Sequence, residues 1–273
     1  MTKLTNILLA LSVIGLQARG GGGGGGASSS TAATPPALSL DTVQGVYDTT
    51  AYNGSGLGAA THAVRAVLFK DGATWLFLMD GAANANPAPV GLAKLAVSAS
   101  GQGFSGTGKR YMLTDSSGAN LAVSGNVPST GTLGLTFSDS AGGATSATST
   151  VAAVTRFNAV AAKADMAATW SFASTQPTVG GGTVAVTWTW AVDANGTLAG
   201  TNSLGCTFTG TVLPRSDAIA VFDTTINENC AGSARIFNGV AFQNSAKTLT
   251  TFGLILNDGS NGTVAVASKV NPT

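Results

Sequence analysis

The sequence predicts an all-β protein made of two tandem small antiparallel meander β-barrels, about eight strands each, after a signal peptide and a flexible Gly/Ser linker. Three observations predict this fold class. Apolar and polar residues alternate in short runs, turn-forming residues separate the runs, and no long stretch carries apolar residues at helical spacing. Closing each sheet into a barrel removes exposed strand edges, and a β-sandwich is the alternative packing for the same strands.

The clearest alternation runs through Thr183–Val192, in which every second side chain is Val or Trp. This period-two pattern is typical of an antiparallel strand with one buried face. Residues 206–212 and 132–137 repeat it. The opposite positions hold mainly Thr and Ala, so we expect small or polar side chains on the outer barrel faces. That expectation, together with only 3 Tyr, argues against a lipid-facing barrel.

Turn-forming residues divide the chain after the linker into two comparable halves. We predict a first β-barrel domain over residues 43–157 and a second over 167–270, joined by an Ala-rich connector that holds a turn of helix. Strands of the first domain are predicted to begin near Gln44, Ala63, Thr74, Gly91, Gly103, Asn120, Thr132 and Thr148. Strands of the second are predicted to begin near Ala168, Thr183, Thr197, Cys206, Ala218, Ala234, Thr248 and Thr263.

The N-terminal residues predict export. Lys3 precedes the apolar run 7–16, which is shorter than the roughly 20 apolar residues that span a bilayer. We therefore predict a signal peptide over 1–18 and a Gly/Ser/Pro-rich linker over 19–42, which contains seven consecutive glycines. The predicted location is the periplasm, or the outer membrane and cell surface. An uncleaved N-terminal segment would associate the protein with the membrane.

Composition fits this location and excludes one class of partner. Charged residues make up 9% of the chain, against about 25% in ordinary soluble domains. Hydrophobic residues reach 44%, which is enough for a packed core. The formal net charge is +1 and no basic patch stands out, so we predict no nucleic-acid partner.

The two cysteines, Cys206 and Cys230, are the firmest candidate site. Cys206 falls on the inward face of its strand, and Cys230 follows a short polar segment at 227–229. Export permits a disulfide, and we predict that the two cysteines are bonded. Two free buried thiols and a redox-active pair are the alternatives, and the absence of Cys-x-x-Cys spacing disfavours the redox-active pair.

Residues 205–215 (GCTFTGTVLPR) carry a resemblance to a known group. Together with Cys230, the segment 237–242 (FNGVAF), the poly-Gly tract and the opening Gly-Val-Tyr at 45–47, they resemble uncharacterised tandem β-barrel lipoproteins of β-proteobacteria. The resemblance implies a cell-envelope location and a barrel fold, and it implies no catalytic activity. The chain departs from the group at 267–270, where Ala-Ser-Lys-Val replaces a Gly-Thr-Lys-Pro-like ending.

A second departure from the group lies at the lipobox. Residues 16–18 (Leu-Gln-Ala) stand where a lipoprotein signal has its last residues before the lipidated cysteine, but residue 19 is Arg. Arg19 has no thiol, so no diacylglycerol can be attached there. Ala18 suits the residue before a signal-peptidase cut, which places the cleavage vicinity at Ala18 and Arg19.

Few residues offer catalytic or metal chemistry. His62 is the only histidine, so a Ser-His-Asp triad would have to use it, and no Gly-x-Ser-x-Gly elbow accompanies it. Oxygen-bearing residues are dense at 257–262, but their spacing is not that of an EF-hand calcium loop. We predict no catalytic residue, no cofactor and no metal site, and hence no enzyme. Four carboxylates are interpreted as turn formers: Asp71, Asp80, Asp193 and Asp258.

These observations predict a non-catalytic cell-envelope or surface protein of binding or interaction type, whose partner is an unknown protein or small-molecule ligand. Two alternatives remain. A lipocalin- or avidin-like carrier would hold a small molecule inside a barrel, where Trp170, Trp188 and Trp190 are otherwise assigned to the core. A hydrolase with an unrecognised site would need His62 close to a Ser and a carboxylate, or a pocket with two close acids.

Overall fold

The computed structural model describes residues 37–48, 62–80, 88–113, 115–126, 132–139, 148–153, 159–177, 183–217 and 219–270. Within these ranges the chain forms sixteen β-strands and two one-turn helices, so the all-β prediction is confirmed. The predicted signal peptide, Ala18, Arg19 and most of the linker lie outside the described residues. No helix in the described ranges has the length and apolarity that crossing a membrane requires.

The first eight strands form one antiparallel sheet in which each strand pairs with the next along the chain. The sheet closes into a barrel because β1 also pairs with β8, with Tyr47 opposite Ala153 and Asp48 opposite Ala152. The strands are β1 (Gly45–Asp48), β2 (His62–Leu68), β3 (Ala73–Asp80), β4 (Ala88–Ser100), β5 (Gly103–Met112), β6 (Asp115–Asn126), β7 (Thr132–Asp139) and β8 (Thr148–Ala153).

The last eight strands form a second antiparallel sheet with the same meander order, which closes through β9 and β16. At the closure Ser268 lies opposite Ser171, and Lys269 lies opposite Trp170. The strands are β9 (Ala168–Pro177), β10 (Thr183–Val192), β11 (Thr197–Asn202), β12 (Thr207–Pro214), β13 (Val221–Cys230), β14 (Ser233–Gln243), β15 (Leu249–Leu256) and β16 (Gly262–Lys269).

Fifteen of these strands begin within three residues of the predicted starts. The exception is β6, which begins at Asp115 instead of near Asn120. Its first residues, Asp-Ser-Ser-Gly, are polar and lack alternation, so the sequence pattern did not mark them as a strand. They are extended because they continue the long hairpin with β5, in which Met112 lies opposite Asp115.

A one-turn helix precedes the first strand of each barrel: α1 (Leu40–Val43) and α2 (Lys163–Met166). The last residue of each helix, Val43 or Met166, is buried in the interior core of its barrel. α2 supplies the turn of helix that was predicted in the connector. α1 lies at the end of the segment predicted as linker, where Leu38 and Leu40 also pack against the first barrel's core.

Among the side chains that the structure describes, alternate residues of the strands fill the two barrel interiors. The first interior includes Val64, Leu68, Leu76, Leu95, Phe104 and Leu121. The second is richer in aromatic residues and includes Trp170, Trp188, Trp190, Phe208, Phe222 and Phe252.

A third apolar cluster lies outside both interiors, where the outer faces of the two barrels meet; we call it the interface core. The first barrel contributes Val46, Val67, Phe69, Trp75, Phe77, Met79, Leu92 and Tyr111. The second contributes Val221, Val240, Phe242, Ile255 and Val264, joined by Ile219 just before β13. The expectation of small or polar outer faces is therefore wrong on this side, because the barrels bury large apolar outer side chains against each other.

Aromatic rings from the first barrel reach the backbone of the second. The Phe77 ring packs edge-on against Phe242, with 4.9 Å between the ring centroids. A Cβ atom placed on Gly253 would lie 2.5 Å from Cε1 of Phe77, and one on Gly262 would lie 2.6 Å from Cγ of Tyr111. The rings can pack this closely because the two glycines have no side chain. Any larger residue would have to displace a ring, since protein interiors have little spare volume.

Candidate functional site

An open cleft of about 600 Å³ lies between the two barrels, beside the interface core. This volume is within the range of small-molecule sites, about 300 to 1,000 Å³. One wall comes from the first barrel, with Ala73, Lys94, Leu95, Ala96, Thr107, Gly108, Lys109 and Tyr111, and Asp71 at its end. The other wall comes from the second barrel, with Asn238, Ile255, Leu256, Asn257 and Gly259.

Two lysines face each other in the first-barrel wall. Lys94 on β4 is the direct cross-strand partner of Lys109 on β5, and both side chains are exposed. The Lys109 ammonium donates a hydrogen bond to the carbonyl oxygen of Gly259 at 3.3 Å. The Lys94 ammonium lies 5.3 Å from the ring centroid of Trp75, its cross-strand partner on β3. Like charges placed opposite each other on a sheet destabilise it, so this pair costs folding free energy.

Polar groups of the second barrel line the opposite wall. The side-chain amide of Asn238 donates to Oδ1 of Asn257 at 3.0 Å. The Tyr111 hydroxyl crosses from the first barrel and donates to the carbonyl oxygen of Gly259 at 3.0 Å. Burial raises the pKa of this hydroxyl, and the negative charge of Asp258 raises it further. Tyr111 is therefore a neutral hydrogen-bond donor at physiological pH.

Arg215 fixes one end of the cleft by joining carboxylates of both barrels. Its Nη2 donates to Asp71 of the first barrel at 2.6 Å. Its Nε donates to Asp217 at 2.6 Å and its Nη1 to Asp223 at 2.9 Å. The guanidinium carbon lies 3.8 Å from the ring centroid of Phe69, in the interface core. One arginine therefore combines charge pairing with stacking across the boundary between the barrels.

Asp217 is the buried member of this ion cluster, with 7% of its side chain exposed. It also pairs with Lys70 of the first barrel, at 3.2 Å. Burial opposes ionisation of the carboxyl, but hydrogen bonds from Arg215 and Lys70 outweigh that effect and hold its pKa below the usual value. Asp217 is therefore ionised at physiological pH and ties the two barrels together.

The predicted disulfide between Cys206 and Cys230 is present. The neighbouring residues Thr207 and Asn229 are cross-strand partners of β12 and β13, so the cysteines face each other at the same level of the hairpin. Their Cα atoms lie 4.3 Å apart. An oxygen of Glu228 lies within 4.8 Å of both sulfur atoms. The sulfurs are bonded to each other, so they do not form a thiolate metal site here.

Asp193 and Asp258, two of the predicted turn formers, stabilise turns. Asp193 accepts backbone hydrogen bonds from Asn195 and Thr197, both at 2.8 Å. Asp258 accepts from the backbone and hydroxyl of Ser260 at 2.9 and 2.7 Å. Asp258 is engaged in this way, and Oδ1 of Asn257 accepts from the amide of Asn238, so both side chains use an oxygen within the protein.

The structure describes only the backbone of two candidate residues, His62 and Asp80. His62 begins β2 and Asp80 ends β3, but their side chains are not among the described ones. The hydrolase alternative, which depends on His62, therefore stays an untested prediction.

The three tryptophans of the second barrel belong to its core, as assigned from the sequence. Trp188 stacks on Phe172 with 4.8 Å between ring centroids. Trp190 packs edge-on against Phe252 at 5.2 Å. Trp170 is fully buried. Among the residues that the structure describes, aromatic side chains thus pack against one another in the place where a carrier would need an open cavity.

Sequence reasoning missed the cleft and its lysines. The available signal was the continuous apolar run in β3 (ATWLFLMD) and in β15 (LTTFGLIL), because strands buried on both faces lose their alternation. Such runs indicate that both faces of β3 and β15 are buried, but they do not identify the lysines of β4 and β5.

Comparisons with known proteins give no information on function, so any proposal rests on the geometry described above. The resemblance of residues 205–215 to tandem β-barrel lipoproteins stays a prediction. The chain matches no family model, no curated protein and no solved structure.

Proposed function

We propose that this chain is an exported, non-catalytic binding protein of the bacterial cell envelope, whose two tandem barrels act as one rigid body and hold a ligand in the cleft between them. The observation that carries the proposal is the cleft itself, which takes walls from both barrels. The signal-peptide pattern at residues 1–18 supports export. The disulfide suits an oxidising compartment.

The interior of the second barrel favours an external site over an internal one. In the second barrel, buried and half-buried aromatic rings contact each other at centroid distances between 4.8 and 5.7 Å. A lipocalin- or avidin-like carrier would have to displace these rings, at the cost of well-packed apolar contacts. A ligand in the cleft displaces only water and exposed side chains.

The interface core and the ion cluster make a fixed cleft possible. Large apolar side chains and the Arg215 cluster hold the same two surfaces together. Pre-formed walls lower the entropic cost of binding, because less of the protein must become ordered around the ligand.

The test of cleft binding uses purified protein and isolated envelopes of the host bacterium. Ala96→Trp places an indole in the cleft, because Ala96 is exposed and lines it. Ser98→Trp is the matched control, since Ser98 is the next outward position on β4 and does not line the cleft. We expect Ala96→Trp to lower the envelope-bound fraction about tenfold and Ser98→Trp to leave it unchanged. Equal binding by both variants, or no binding by the wild type, would contradict the proposal.

Cell fractionation tests the location separately. We expect the wild-type protein in the periplasm or envelope fraction of the host. Arg19→Cys restores the missing lipobox thiol and should move the protein to the outer-membrane fraction. A wild-type protein retained in the cytoplasm would contradict export, and an Arg19→Cys variant with unchanged distribution would contradict the lipobox interpretation.

A further inference from the structure

The charges of the cleft point to the class of ligand that it takes. Lys94 and Lys109 place two ammonium groups side by side on adjacent strands at the mouth of the cleft. Ammonium groups carry three hydrogen-bond donors each and no acceptor. Lys109 uses one donor on Gly259, and Lys94 rests over the ring of Trp75. A cation–π contact orients the ammonium without neutralising its charge.

The negative charge near this pair is incomplete, and among the described residues it lies close to Lys109, whose positive charge helps to lower the pKa of Asp258. Across the described residues, no ion pair within 4.0 Å involves Lys94 or Lys109. Asp71 and Asp258 also have other partners. Asp71 pairs with Arg215, and Asp258 accepts both hydrogen bonds of Ser260. Asp258 therefore offsets part of the Lys109 charge, whereas Lys94 has no carboxylate within ion-pair distance among the described residues. An anionic ligand would relieve the repulsion that remains between the two lysines.

We infer that the cleft binds an oxyanion between Lys94 and Lys109, as a carboxylate, sulfate or phosphate group carried by the ligand. This inference rests on the proposed function of the cleft. Lysine ammoniums bind such groups as point charges and adapt to different geometries. The remaining lining of amide and hydroxyl groups suits the polar body of a ligand such as a sugar. The open shape of the cleft also allows the ligand to extend beyond it.

The direct test is a titration of the purified chain, followed by nuclear magnetic resonance shifts, with two probes. One probe is inorganic sulfate, and the other is an oligomer of galacturonic acid. Lys94→Gln, Lys109→Gln and the double variant remove the charges, and Lys163→Gln is the control because Lys163 is exposed on α2 and does not line the cleft. All three positions are exposed, so each of the four variants is expected to fold.

We expect each single cleft variant to weaken binding about tenfold, the double variant to abolish it, and added salt to weaken it further in the wild type. Lys163→Gln should bind as the wild type does. Tight binding of sulfate alone indicates a small oxyanion as the ligand, whereas much tighter binding of the oligomer indicates an anionic carbohydrate. Unchanged affinity in the double variant, or no binding of either probe, would overturn the inference.

The envelope assay separates this inference from the proposed function. If Ala96→Trp abolishes envelope binding while the double lysine variant retains it, the cleft is the site and the oxyanion inference is wrong. If both variants retain envelope binding, both proposals are wrong.

Discussion

The indole nitrogen of Trp170 donates a hydrogen bond to the carbonyl oxygen of Met166 at 2.9 Å. The same relationship recurs at the start of the first barrel, where the Tyr47 hydroxyl donates to the carbonyl oxygen of Val43. In both barrels the acceptor ends a one-turn helix and the donor lies four residues later on the first strand. The bond satisfies a carbonyl that the short helix leaves without a partner.

Trp170→Phe is predicted to destabilise the protein more than Trp190→Phe does. Both substitutions remove the same ring area from the same core, but only Trp170 loses a hydrogen bond, since the indole nitrogen of Trp190 has no partner among the described residues. We expect the difference in the free energy of unfolding to be about 1 kcal/mol. Denaturant unfolding of the two variants measures it, and an equal loss would argue against the capping role.

Gly253→Ala is predicted to weaken the contact between the barrels. The new Cβ would lie 2.5 Å from Cε1 of Phe77, which forces the ring or the strand to move. We expect a loss of about 1 to 3 kcal/mol in the free energy of unfolding. Phe77→Leu in the same chain should recover part of the loss, because the shorter side chain makes room. If the free-energy losses of the two single variants simply add in the double variant, the clash is not with Phe77.

Asp217→Asn is predicted to destabilise the protein at neutral pH by about 3 kcal/mol, because it leaves Arg215 without its buried partner. The pKa of Asp217 is lowered by folding, so its contribution is present above the unfolded value of about 4 and is lost as the pH falls through the folded pKa. The difference between wild type and variant should therefore shrink below about pH 4.

Asp223→Asn is the control for this experiment, since Asp223 also pairs with Arg215 but its side chain is 52% exposed. We expect its loss to stay below about 1 kcal/mol. Unfolding curves at several pH values test both variants. If the free energies of unfolding of the wild type and Asp217→Asn differ by the same amount at low pH as at neutral pH, the role of the ionised carboxylate is contradicted.

Cys206→Ser is predicted to lower the free energy of unfolding by about 3.5 kcal/mol, because the disulfide closes a loop across a sequence separation of 24 residues. Reduction of the wild type should produce the same loss. Mass spectrometry of alkylated, non-reduced protein checks the bond itself. Two modified thiols in protein taken from the exported fraction would contradict it.

The strand order and the disulfide could be predicted because both leave local patterns. The alternation in β10 marks one buried face, and the buried Cys206, which directly precedes β12, continues the alternation of that strand. The cleft depends instead on contacts between distant parts of the chain. Asp71 and Arg215 are 144 residues apart in the sequence, and nothing in either neighbourhood indicates the other.

The outer barrel faces were expected to carry small or polar residues, and this prediction failed because the outer faces differ from strand to strand. β10 places Thr and Ala outward, in agreement with expectation, while β3 places Trp75, Phe77 and Met79 outward into the interface core. A period-two pattern reports the difference between two faces of a strand, so it vanishes when a neighbouring domain buries the second face. The partner of such a face cannot be identified from the strand alone.

The central claim is that the two barrels form one cooperative body that fixes the cleft between them. Hydrogen exchange followed by mass spectrometry, at increasing denaturant concentration, tests it most directly because each strand reports separately. We predict that strands β1–β8 and β9–β16 lose protection at the same denaturant concentration. Loss of protection in one barrel while the other stays protected would contradict the claim.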